Sequence, residues 1–178
     1  MRMWMRLLIV CLRAFLRRKP GSAPDQPVLS FRVMTWDCVL RYMGNDRYHS
    51  FMDLGRLDLA FRFGWINNLY KRGWQPQVVG CLASYALPLR LFDHFVLRTY
   101  VVHFNGVSVW LAHQFEKDGV VYHSALAKLV AVSRSQVVTL TSFFPPNKEK
   151  QEWSSGKNTE RLFNQGKALL KELSSIPF

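Results

Sequence analysis

Cysteine is scarce and badly placed for covalent work. The three among 178 residues, Cys11, Cys38 and Cys81, stand far apart with no Cys-x-x-Cys, which excludes a disulfide framework and a structural zinc site. His49, His94, His103, His113 and His123 show no ligand spacing either, so no metal and no cofactor is expected. Long apolar runs are missing too. The longest uninterrupted one near the amino terminus, Leu7 to Leu12, is far short of the roughly 20 residues that span a bilayer.

Acidic residues are also few, 12 against 24 basic ones for a net charge of +12. Half of that excess lies in the first nineteen residues, which carry Arg2, Arg6, Arg13, Arg17, Arg18 and Lys19 and no acid. No zinc-finger spacing, recognition-helix signature or RNP-like aromatic stretch accompanies the remainder, so a nucleic-acid partner is not expected. Anionic lipid or a phosphate-bearing molecule accounts for the charge equally well.

At 100° per residue, Arg2, Arg6, Arg13 and Arg17 share one arc of a helix while Trp4, Leu7, Leu8, Leu12 and Phe15 lie elsewhere. Residues 1–19 are therefore expected to form an amphipathic, membrane-associating helix with guanidinium groups among lipid phosphates. A cleaved secretory signal and a helix docked on the protein's own core are the other readings of the same residues. Lys19 to Pro27 holds three prolines in nine residues, which ends the helix and marks 20–27 as a linker.

What is present is one domain's worth of alternating and helical periodicity, expected over 28–142. Val28 to Trp36 alternates as a strand. Asp37 to Asn45 reads as an irregular connection, and Asn45 or Asp46 is expected to cap a long helix in which Tyr48, Phe51, Met52, Gly55, Leu59 and Phe63 recur at three- and four-residue intervals. A short second helix and four long strands follow: Gln77 to Leu87, Phe95 to Phe104, Val107 to Phe115 and Val120 to about Val132. Asn105-Gly106 and Asp118-Gly119 sit where hairpins reverse. The order is α+β, a curved antiparallel sheet wrapped around one central helix. Residues 143–178 are expected to be a polar carboxy-terminal extension with a helix from Thr159 through Leu173.

These elements and their residues resemble the hot-dog-fold acyl-CoA thioesterases of the 4-hydroxybenzoyl-CoA thioesterase type, whose connection into the central helix reads D-x-x-G-H-x-N-N-x-x-Y. The stretch Cys38 to Tyr48 corresponds to it, and Met43, Asn45, Arg47 and Tyr48 agree with the M-N-N-A-R-Y version of its end. The helix continuation with Asp53, Gly55, Arg56, Arg62 and Gly64, and the later "PLRLFDHFVLRT", resemble the thioesterase superfamily member 6-like proteins in particular. The family's acid aligns with Cys38, one residue after Asp37. Tyr42 stands at its histidine and Gly44 at its first asparagine.

The resemblance implies a hot-dog fold, a homodimer or dimer of dimers, and a thioester bound beside the helix's amino end. Asp37 would act as general base or nucleophile, and the amides of Gly44, Asn45 and Asp46 as the oxyanion site. Tyr42, Tyr48, Phe51 and Met52 would line the substrate. The implied activity is thioester hydrolysis on an acyl-CoA or acyl-carrier-protein substrate, with the protein membrane-associated on the cytoplasmic face. The drift at the signature positions keeps a non-catalytic acyl-binding or scaffolding protein as the alternative. Cys38 has no cationic neighbour in sequence to activate its thiol. Asp53 with Arg56 and Asp58 with Arg62 read as helical ion pairs.

Overall fold

The computed structural model describes residues 5–8, 10, 12, 28–134 and 136–141. Two of the segments read from the sequence, the linker at 20–27 and the extension at 143–178, lie outside the described residues. In chain order the elements are β1 (Val28–Arg32), a 3-10 turn (Thr35–Asp37), β2 (Cys38–Val39), β3 (Tyr42–Met43), α1 (Asn45–Arg62), α2 (Trp65–Arg72), β4 (Gln75–Tyr85), β5 (His94–Phe104), β6 (Ser108–Lys117), β7 (Val120–Ser133) and β8 (Gln136–Val138). Hydrogen bonding orders the main sheet β1-β5-β6-β7-β4, with β8 added on β7. β1 runs antiparallel to β5, Val28 facing Arg98 and Arg32 facing His94.

The two expected reversals are present, each for a local reason. Asn105 accepts from the N–H groups of Val107 and Ser108 and from the Ser108 hydroxyl at 3.2, 2.7 and 3.0 Å, and Gly106 takes φ 83°. Asp118 and Gly119 both have positive φ, 51° and 77°, as a two-residue hairpin whose twist matches its strands requires.

Three expectations change. The first strand stops at Arg32, because the Val33 N–H turns to the Asp93 carbonyl and the Asp37 carboxylate accepts the Met34 N–H at 2.9 Å, winding the chain into the 3-10 turn. The helix cap is Gly44, not Asn45 or Asp46. It is extended at φ −67°, ψ 147° and makes no side-chain cap bond, its own N–H donating to the Asp37 carbonyl at 2.9 Å. The connection expected to be irregular contains the small hairpin β2–β3, in which Cys38 faces Met43 and Val39 faces Tyr42.

Contacts divide the chain into two units, and β5, β6 and β7 contribute to both. In the first, α1 buries Tyr48, Phe51, Met52, Leu54, Gly55, Asp58 and Leu59. Phe51 meets Phe31 at 4.9 Å and Phe95 at 5.1 Å between ring centroids, and Tyr48 meets Phe115 at 5.2 Å. Phe51, Phe95 and Phe115 are fully enclosed, and burial of such a ring contributes about 1.5–3 kcal/mol. Gly55 is where the helix comes nearest the sheet: a Cβ there would lie 2.3 Å from Thr99 Oγ1. In the second unit Tyr100, Trp110, Ala112 and Leu126 form a separate cluster. β4, at one end of the sheet order, is exposed or half-buried along its whole length.

Candidate active site

The hairpin β2–β3 is what builds the site. By folding Cys38 back on Met43 it carries the chain from Asp37 straight to the amino end of α1, and the bond from Gly44 N–H to Asp37 O closes that loop. Tyr42 bridges to Arg90 and the Met43 N–H donates to Leu89 O at 2.8 Å, which ties the hairpin to the strand-entry loop at 89–93. Asp37 and the first turn of α1 are thus brought together.

The Asp37 side chain is fully enclosed, at 0% exposure. Its Oδ2 accepts from the Met34 N–H and from Arg6 Nη2 at 2.9 and 2.8 Å, and its Oδ1 accepts from Arg6 Nη1 at 2.9 Å. Arg6 also donates through Nη2 to the Arg32 carbonyl at 3.1 Å, and its guanidinium carbon lies 4.8 Å from the Phe51 ring centroid and 6.0 Å from that of Trp36. A bidentate fork of this kind is the strongest way to hold a carboxylate.

Sequence reasoning set Arg6 on a lipid-facing stripe; the structure turns it inward, 14% exposed, onto Asp37. Val10, one turn on, is 2% exposed, while Met5, Leu8 and Leu12 are exposed at 64%, 69% and 55%. Arg2, Arg13 and Arg17 lie outside the described residues. No signal in the sequence singles out Arg6 among the six basic residues as the partner of an aspartate 31 positions away.

The other expected residues divide. The Gly44 amide is committed to Asp37, leaving the N–H groups of Asn45 and Asp46, which have no acceptor within their own helix. Asp46 is exposed and paired with Arg47 at 3.1 Å. Tyr42 is exposed, while Tyr48, Phe51 and Met52 are enclosed by protein. Tyr48 accepts the Leu89 N–H at 3.2 Å, and burial pushes its phenol up. Burial, and then the Asp37 charge, push the Cys38 thiol up as well, which agrees with the absence of an activating cation and leaves Cys38 a poor nucleophile. Among the described residues no cluster of His, Cys, Asp or Glu is arranged to hold a metal.

The profile of the thioesterase-like superfamily matches residues 33–151. The chain belongs to that superfamily. The match begins ahead of Asp37 and takes in the site from Val33 onward, while Arg6 and Arg32 lie ahead of it. No curated protein matches this thioesterase-like chain in sequence, but solved structures do. BH1999 gentisyl-coenzyme A thioesterase is 23% identical with a TM-score of 0.57, covering 65% of this chain and 95% of its own. The 4-hydroxybenzoyl CoA thioesterase from Pseudomonas sp. strain CBS-3 is 16% identical at a TM-score of 0.61, covering 67% and 97%. SAV2348 from Staphylococcus aureus, solved in complex with CoA, is 10% identical at a TM-score of 0.66, covering 77% and 92%. The fold of the thioesterase-like chain is accordingly the hot-dog fold.

Proposed function

We propose that this protein hydrolyses acyl-CoA thioesters at a membrane surface, with Asp37 as general base or nucleophile. The observation that carries the reading is the direct link between Asp37 and the amino end of α1, the Gly44 N–H to Asp37 O bond of 2.9 Å, within the region matched by the superfamily profile. As a base, Asp37 takes a proton from water whose oxygen attacks the thioester carbonyl. The C–S bond then breaks, the proton passes to the departing thiolate, and a carboxylic acid and a free thiol result. The charge that develops on the carbonyl oxygen falls to the Asn45 and Asp46 amides and the positive end of the helix. The neighbours named for gentisyl-CoA and 4-hydroxybenzoyl-CoA support CoA as carrier.

The membrane part of the reading rests on the outward face of the amino-terminal helix, where Met5, Leu8 and Leu12 are exposed, and on the basic excess of residues 1–19. Among the described residues no helix is long and apolar enough to cross a bilayer. Peripheral attachment on the cytoplasmic face is the proposal, and flotation of the full chain with anionic vesicles tests it. A second copy is proposed to pair along β4, an eleven-residue strand at the end of the sheet order with Val78 and Val79 exposed. A bare edge of this kind invites pairing, and sedimentation as a monomer at micromolar concentration rejects it.

A non-catalytic acyl-binding role is favoured by one observation, the complete enclosure of the Asp37 side chain. One substitution separates the two. Asp37→Asn is expected to lower release of CoA from acyl-CoA by about 10²–10⁴-fold with the fold retained, whereas Cys38→Ala leaves it within a few-fold. Undiminished turnover in Asp37→Asn removes Asp37 from the mechanism. The same assay run on acyl-carrier protein decides the carrier.

A further inference from the structure

The cation on Asp37 comes from outside the hot-dog domain. Arg6 sits on the helical segment Met5–Leu8, ahead of the proline-rich stretch and of β1. Among the described residues it is the ion-pair partner that Asp37 has. Of the basic residues of the domain nearest in sequence, Arg41 is exposed and Arg32 is used elsewhere: its Nε donates to the Phe92 carbonyl at 3.2 Å and its guanidinium lies over the Phe92 ring. The domain therefore encloses a carboxylate and leaves its neutralisation to a separate piece of chain.

We propose that Arg6 is an internal cap on Asp37, and that the amino-terminal helix is a removable, autoinhibitory cover that must lift before a thioester reaches the carboxylate. The inference rests on Asp37 being the base or nucleophile of the proposed hydrolysis. Its geometry is that of a plug. Three donors converge on the two oxygens at 2.8 to 2.9 Å, taking up three of the about four lone-pair sites through which a carboxylate would bind water or attack a carbonyl. With the side chain at 0% exposure, no substrate atom touches it while Arg6 is in place.

Among its described residues the segment docks by one side. Arg6 and Val10, four residues apart, are its inward pair, 14% and 2% exposed, while Met5, Leu8 and Leu12 at spacings of three and four are outward. Among its described residues, the docked state depends on the contacts that Arg6 and Val10 make. Such an element has a small free-energy gap between docked and lifted states, and the lifted fraction sets the apparent activity.

The test uses the full chain and follows release of CoA from acyl-CoA. Arg6→Gln removes the fork while keeping a side chain of similar length. If the lifted state is populated at a tenth or less in the wild type, kcat/KM rises roughly 10-fold or more in Arg6→Gln, and amide hydrogen exchange over residues 5–12 accelerates in the same variant. Arg6→Lys, which retains the charge but not the two-point fork, is expected between wild type and Arg6→Gln, and it carries the test if Arg6→Gln does not fold.

A folded Arg6→Gln or Arg6→Lys chain that turns over no faster than wild type overturns the cover. The double variant Arg6→Gln/Asp37→Asn separates this from failure of the catalytic reading. Loss of the gain on adding Asp37→Asn supports both ideas. A double variant as fast as Arg6→Gln alone removes Asp37 as the base while the cover stands.

Discussion

Two buried aspartates lie at the two ends of the long helix α1, each held by an arginine at 2.8 Å and each with that arginine 14% exposed. Asp58 and Arg62 are one turn apart on the helix itself. Asp37 and Arg6 are separated by 31 residues. The local pair orders two side chains on a backbone that is already helical, so its entropic cost is small. The distant pair must in addition hold a short segment against the domain. Equal distance and equal burial therefore conceal unequal roles: one pair belongs to the fold, and the other joins a detachable piece to it.

The sharpest way to break the comparison is to remove the local cation. Arg62→Gln leaves Asp58 buried on a helix that cannot move away, and folding stability is expected to drop by about 3–5 kcal/mol, read as a lower urea midpoint. A loss below about 1 kcal/mol, the size of a surface pair, would make the two pairs alike.

The reason α1 cannot move away is its contact at Gly55, where an added Cβ would fall 2.3 Å from Thr99 Oγ1 and 3.2 Å from Leu97 Cδ2. Gly55→Ala is expected to cost about 1–3 kcal/mol, although alanine is the better helix former by about 1 kcal/mol. A stabilised Gly55→Ala would show that the helix has room to shift.

Thr99 also engages His113, whose Nδ1 lies 3.0 Å from its hydroxyl, and this ring reports on the same contact through pH. Burial first, then the charges of Arg56, His123 and His49, hold His113 well below the ordinary imidazole range. Above about pH 6.5 the ring is neutral folded and unfolded alike. Below it the unfolded ring binds a proton that the folded one refuses, so stability falls by up to about 1.4 kcal/mol per pH unit until the folded value is reached. Urea midpoints between pH 7.5 and 5.5 measure this slope, and His113→Asn flattens it.

The smallest effect is expected from Arg6→Gln on global stability, at about 1 kcal/mol or less, because lifting the segment lets water reach Asp37 without unfolding the domain. A loss as large as that of Arg62→Gln would place Arg6 within the core fold and weaken the case for a cover.

Much of the fold was legible beforehand, and the legible parts share a short range. The helical spacing of Tyr48 through Phe63, the alternation of Phe95 to Phe104 and the two Xaa-Gly reversals are decided within a few residues, and they appear where expected. The Asp58–Arg62 and Asp53–Arg56 pairs follow from helical spacing alone. The strand ends moved by a few residues, and β8 was not expected. Such boundaries depend on which backbone groups find partners across the chain, as when the Val33 N–H turns to Asp93 and ends β1.

The site was half legible. Local sequence by itself determined that Asp37 shortly precedes a long helix beginning near Asn45 and that the stretch between them is short; the glycine cap was decided by the fold. Local sequence did not determine that the Gly44 amide would be spent on the Asp37 carbonyl, nor that Tyr48, Phe51 and Met52 would be enclosed while Tyr42 is exposed. Only the tertiary structure decided the direction of Arg6. On a helical wheel it belongs with Arg2, Arg13 and Arg17 in the stripe expected among lipid phosphates, since the wheel knows one helix and no neighbour. A buried carboxylate offers a guanidinium more than water or a headgroup does only where the folded domain has already built the enclosure, and that enclosure is assembled from β1, the 3-10 turn and α1, none of which lies within twenty residues of Arg6.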